Sequence, residues 1–202
     1  MSHPTDPDDL ETPRVGDLDV DPALAAAVLE LEQHASTLGW DQPARLYALV
    51  DTAELVTREP ALAAALGLDD TSSEGSLTPV EQDALDAAVP LERALETIAW
   101  PGEVAGCAAV VERTVLPPDA DADIPEDPED AARYAAEHPE RQELRIAAGA
   151  TRSGSTYCAM RFRSHDDDTL VVTGADLVPG LLELLAATLV DDSPADTSAA
   201  DH

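Results

Sequence analysis

Apolar side chains first recur with a helical period just after the N-terminal twenty residues. Leu24, Val28, Leu31, Ala35 and Leu38 stand alternately four and three positions apart, which lines one face of an α-helix. Asp21-Pro22 ahead of them reads as an N-cap followed by proline at the first helical position, and Gly39 as the stop. Residues 45–50 form a short apolar run and predict a strand. Asp51-Thr52 caps a short helix through Thr57, and Pro60 opens another that ends at Gly67. Thr78-Pro79-Val80-Glu81 has the form of a capping box. It predicts a further helix that kinks at Pro90, resumes at Leu91 and ends before Trp100-Pro101-Gly102.

Beyond residue 104 the period becomes extended. Residues 104–115 are rich in β-formers, and 117–139 form a long excursion with one short helix capped by Asp127-Pro128. Leu144, Ile146, Ala148 and Ala150 then alternate with Arg145, Ala147, Gly149 and Thr151. After the turn signal Ser153-Gly154, Cys158, Met160 and Phe162 alternate with Tyr157, Ala159, Arg161 and Arg163. Two alternating runs around a tight turn predict a β-hairpin. Leu170-Val171-Val172 predicts one more strand, and residues 176–190 a last helix apolar enough to be covered on both faces. The expected class is α+β: a single domain over 21–190, with an antiparallel sheet of four to five strands packed against flanking helices. Residues 1–20 and 191–202 are acidic and poor in packing side chains, and read as disordered tails.

Composition sharpens this picture. The 202 residues carry 42 acidic and 11 basic side chains, a net charge of −31, and every base is arginine. Nucleic acid and anionic membranes should be repelled by such a surface. Lysine and asparagine are absent, as a GC-rich genome would produce, although that leaves unexplained why so few arginines took the place of lysine; salt adaptation is the secondary reading. The core must be built from small side chains, since aromatics make up 3% of the chain. No apolar run approaches the roughly 18 residues that span a bilayer, and no secretory leader is visible. Cys107 and Cys158 are too few for a disulfide framework and read as reduced thiols of a cytoplasmic protein.

Several segments together resemble a family of uncharacterised, acidic actinobacterial proteins. They are Gly39-Trp40-Asp41-Gln42-Pro43 with Arg45-Leu46, Thr52-Ala53-Glu54-Leu55, and Trp100-Pro101 through Val104-Ala105-Gly106-Cys107-Ala108 with Glu112-Arg113. His138-Pro139-Glu140-Arg141-Gln142-Glu143, His165-Asp166-Asp167-Asp168 and Leu177-Val178-Pro179-Gly180-Leu181 complete the set. The resemblance covers roughly residues 21–190. It implies a GC-rich cytoplasmic source and carries no activity.

Candidate chemistry is sparse. Asp119, Asp121, Asp123, Asp127 and Asp130 have the spacing of a calcium loop, but Ile124 stands where such a loop needs glycine. A solvated acidic loop is the preferred reading. His165 and Asp166, with Asp167 and Asp168, offer metal ligands, against a plain polar turn between strands. Five of the eleven arginines fall within 141–163. Arg145, Arg161 and Arg163 share a sheet face in the predicted hairpin and are candidates for gripping a carboxylate or phosphate, against pairing with the protein's own acids. Trp40 and Trp100, beside prolines at element boundaries, are candidate anchors for a partner, against sealing the edges of the core. Phosphate loops, dinucleotide fingerprints, zinc-protease motifs and serine elbows are all missing. The expectation is a non-enzymatic module without cofactor that binds another protein or helps assemble one. Binding of an acidic metabolite on the arginine face is the alternative, and weak divalent-metal binding a further one.

Overall fold

A helix can lie close to a sheet only where the strand beneath it offers little bulk. The computed structural model describes residues 20–68, 75–86 and 88–190, apart from the side chains of residues 118, 121 and 122. In it α1 (Pro22–Thr37) crosses the centre of the sheet over Gly149, where an added Cβ would stand 2.9 Å from Val28 and 3.0 Å from Leu24. The Asp21 carboxylate accepts from the amides of Ala23 and Leu24, which fixes where α1 begins. Of the five apolar positions that predicted this helix, four are buried; Leu38 lies one residue past it and is exposed. The tails expected over 1–20 and 191–202 fall outside the described residues except for Val20.

After α1 come β1 (Arg45–Asp51), α2 (Thr52–Arg58), α3 (Pro60–Ala65), β2 (Leu77–Glu81) and α4 (Leu91–Leu95). Next are β3 (Gly106–Val115), a 3₁₀ turn (Pro118–Asp123), α5 (Pro128–Glu137), and the hairpin β4 (Gln142–Thr151) and β5 (Thr156–Phe162). Two 3₁₀ turns, Arg163–His165 and Asp168–Leu170, lead to β6 (Val172–Gly174) and α6 (Pro179–Thr188). All pairings are antiparallel, in the order β2-β1-β3-β4-β5-β6. Alternate residues serve two cores, as the period of two requires. Tyr47, Leu49, Ala108, Val110, Ala147 and Ala159 face α1. Leu46, Cys107, Ala109, Ile146, Ala148 and Cys158 face the other way, against Leu91 and Leu95 of α4 and Leu182 and Leu185 of α6. The result is three layers, with α5 peripheral and without a fully buried residue. Among the described residues no helix is long and apolar enough to cross a membrane.

The α+β class and the antiparallel sheet agree with the sequence, but the sheet has six strands where four to five were expected. The missed strand is β2, which occupies the apparent capping box. Thr78 does not cap a helix: its hydroxyl meets that of Thr52 at 2.8 Å, and Pro79 lies opposite Leu49 in the ladder. Among the described residues between β2 and Pro90 there is no helix; α4 begins directly after that proline. The last strand lies two residues later than expected, because Asp167 accepts from the Thr169 amide and folds residues 168–170 into a turn.

Among the described glycines Gly106 leaves the least room for a side chain. A Cβ there would stand 2.5 Å from the carbonyl oxygen of Ala150, which is backbone and cannot yield, whereas the neighbours of Gly149 are side-chain ends. Overpacking a core costs about 1–3 kcal/mol. Gly106→Ala is therefore expected at the upper end of that range and Gly149→Ala at the lower, measured by urea unfolding; equal losses would contradict this account of the two contacts.

Candidate functional site

Arg145 on β4 stands directly opposite Arg161 on β5 and Glu112 on β3, so three strands place three charged groups in one row. The row lies on the α1 face, beside the C-terminal part of that helix and the turn that follows it. Two guanidinium groups side by side need carboxylates from outside the hairpin. Arg161 is 2% exposed and binds Glu32 of α1 through two bonds, Nε to Oε1 at 2.5 Å and Nη2 to Oε2 at 2.9 Å. Its remaining reach goes to Asp168 at 2.7 Å and Asp166 at 3.3 Å. Glu32 itself is buried, and the bond to it is the main reason the Arg161 pKa lies above its ordinary value.

Arg145 is 1% exposed. Its Nη2 donates to the carbonyl of Gly39 and to Glu112 at 3.1 Å, while Nε and Nη1 find no acceptor among the described residues. The turn after α1 closes over it. Gly39 and Asp41 both have positive φ, at 80° and 65°, and between them the Trp40 ring stacks on Arg145 with the guanidinium carbon 4.4 Å from the ring centroid. Trp40 donates its indole N–H to Asp166 at 2.9 Å, and the Asp41 amide donates to Glu112 at 2.8 Å. Arg163 binds both Asp41 oxygens at 2.9 Å and Glu143 at 2.7 Å. Hydrogen bonding from Arg163 holds the Asp41 carboxyl below its ordinary value. This tie is intact at neutral pH and is lost as acidification passes through that depressed value.

The structure thus brings Arg145, Arg161 and Arg163 together, as the alternation in the hairpin implied. Each has acidic partners. Three guanidiniums meet six carboxylates (Glu32, Asp41, Glu112, Glu143, Asp166 and Asp168), so the cluster is anionic in sum. A concavity of about 230 Å³ beside it is lined by Trp40, Asp41, Glu112, Arg113, Thr114, Glu143 and Arg163, three acids among them. Such a wall disfavours an anionic ligand.

The other candidates lie apart. Asp119 and Asp123 are exposed in the 3₁₀ turn, and the side chain of Asp121 falls outside the described residues. His165 is exposed and bonds Ser164 at 2.9 Å, while Asp166 is turned towards Trp40 and Arg161. Among the described residues no group of three or more His, Cys, Asp or Glu side chains is set to hold a metal. Trp100 packs at the edge of the α6 core and donates to the Thr188 hydroxyl at 3.0 Å. Cys107 and Cys158 are unpaired and buried in that core; burial pushes Cys107 up to about 11 and raises Cys158 as well, so both stay protonated at neutral pH.

Two residues that sequence reasoning passed over matter here. Glu32 looked like one more acid on an acidic chain; its placement beside Leu31 on the inner helix face was the signal available. Arg152 follows β4 and donates to the carbonyls of Val104, Trp100, Pro101 and Leu189, tying the end of α6 to the entry of β3. Nothing in its sequence neighbours marks that role. Removing Glu32 leaves the buried Arg161 with only the solvent-facing Asp166 and Asp168, and the loss of one partner of a buried pair costs about 3 kcal/mol. Glu32→Gln is expected to lose that much in urea unfolding, and Glu32→Leu combined with Arg161→Met to recover most of it. A silent single substitution would show that the pair does not hold the site.

One family model, described as PPA1309-like protein, matches residues 24–190, from the first turn of α1 to just past α6. No curated protein and no solved structure matches the chain. The match takes in the whole arginine cluster and the turn that covers it, and on this evidence the chain belongs to the PPA1309-like protein family.

Proposed function

We propose that the protein is a cytoplasmic, non-enzymatic module that binds another protein, or helps assemble one, through its anionic surface. The observation that carries this reading is the fate of the arginines. Of the ten described, nine pair with carboxylates of the same chain, and Arg152 binds backbone carbonyls. The cations are consumed internally, against a net charge of −31. What remains to face a partner is carboxylate, which attracts a basic protein surface and speeds encounter with it at low salt. Two unpaired thiols fit a reducing compartment. Trp40 and Trp100 both spend their indole N–H within the molecule, which favours the acidic surface over the tryptophans as the contact.

Affinity capture from native lysate, followed by mixing of the separately purified components, tests the reading. The expected result is a stoichiometric partner that reassociates in pure form and binds at least tenfold more weakly when salt is raised from about 50 to 300 mM, as screening of surface charge requires. Recovery of the protein alone at low salt would overturn the proposal.

A further inference from the structure

The two edges of the sheet are not equivalent. On the β2 edge Pro79 sits in the ladder opposite Leu49. A proline fits there only with its nitrogen turned outward, so the outer margin of β2 lacks a donor at its centre. Glu81 at the end of that strand is tied to Arg45 at 2.7 Å. The β6 edge has neither device. Val172-Thr173-Gly174 contains no proline, pairs only with Cys158, Ala159 and Met160, and is last in the strand order. Val172 and Thr173 are exposed. Among the described residues no strand takes up the outer row of N–H and C=O groups of β6.

The surroundings of this edge are apolar at the centre and acidic at the rim. Between α1 and the approach to β6 lies a concavity of about 190 Å³, lined by Leu29, Glu32, Gln33, Arg161, Asp168 and Val171. Leu29 is 41% exposed, Leu170 51% and Val172 43%. Val171 packs towards α1, whereas Val172 lies opposite Met160 on the other face, so the edge offers apolar contact on both sides of the sheet. Asp166, Asp167 and Asp168 stand before the strand and Asp176 after it, all exposed. The one guanidinium lining the concavity, Arg161, is buried and held by Glu32, Asp166 and Asp168.

We infer that β6 is a docking edge for an extended, basic peptide segment of a partner protein, which adds to the sheet as a seventh strand. Main-chain bonds to 172–174 supply the pairing. Alternate apolar side chains of the peptide rest on Leu29 and Val171 or on Val172, and its arginines or lysines meet Asp166–Asp168 and Asp176. A second copy of this chain is disfavoured as the occupant, because it would bring the same acids face to face. The inference rests on the protein-binding reading and says where the partner sits.

The test uses the full chain and a twelve-residue peptide of alternating arginine and valine, with a counterpart N-methylated at its six central amides. Both peptides carry the same charge, but only the first can pair as a strand. The expected result is slowed amide exchange at 172–174 with the first peptide, and binding at least tenfold weaker, without that protection, for the methylated one. Equal binding of the two peptides, or protection centred elsewhere, would overturn the docking edge. Protection at 172–174 that grows with protein concentration in the absence of peptide would overturn it in favour of self-association. If a lysate partner binds and leaves 172–174 unprotected, the edge fails while the module stands; if no partner is recovered, the module fails.

Discussion

Two guanidinium groups stand side by side across β4 and β5 with almost no access to water, and the structure around them is arranged to neutralise them. A buried cation without a partner is not tolerated. Four carboxylates therefore arrive from three places: Glu32 from α1, Glu112 from β3, and Asp166 and Asp168 from the segment leading to β6. Trp40 covers Arg145 and is itself anchored on Asp166. The end of α1, the middle of the sheet and the approach to β6 are thereby fixed relative to one another.

Burial energy alone does not account for such a cluster, since apolar side chains of similar volume often stabilise as well or better. Strand register supplies a physical reason. From Ala147 to Ala150 both faces of β4 are buried and small, with Ala147 and Gly149 on one side and Ala148 and Ala150 on the other. A slip of one residue would exchange alanine for alanine on the two faces there, opposed only by the close approach of α1 over Gly149. At Arg145 and Arg161 the same slip would drive two cations into the apolar core that holds Val111 and Ile146 and strand Glu32 and Glu112 without partners. The charged row pins a hairpin whose alanines cannot pin themselves.

Much of the fold was legible in the residues because local signals agreed with one another. Asp21-Pro22 with the four-and-three spacing specified α1, and strict alternation through 144–163 specified the hairpin and the shared face of its arginines. β2 was not legible: Thr78 to Glu81 satisfies a helix cap and an edge strand equally well, and only the pairing of Thr52 with Thr78 decides between them. Asp166 stood as a weak candidate metal ligand against the preferred reading of a polar turn, and its contacts with Trp40 and Arg161 were hidden because they depend on how that turn folds. Glu32 was hidden among 42 acids. The arginine concentration itself was visible, but the carboxylates that consume it come from distant segments, and this turns a candidate ligand site into an internal strut.

Thermal unfolding in the presence of small anions tests that conclusion most directly. A ligand at a hundred times its Kd raises stability by about 2.7 kcal/mol, enough to move a melting temperature by several degrees. With millimolar phosphate or succinate at constant ionic strength the melting temperature should stay where it is. A saturable rise that disappears in Arg163→Met would show that the arginines serve an anion after all, and would contradict the account.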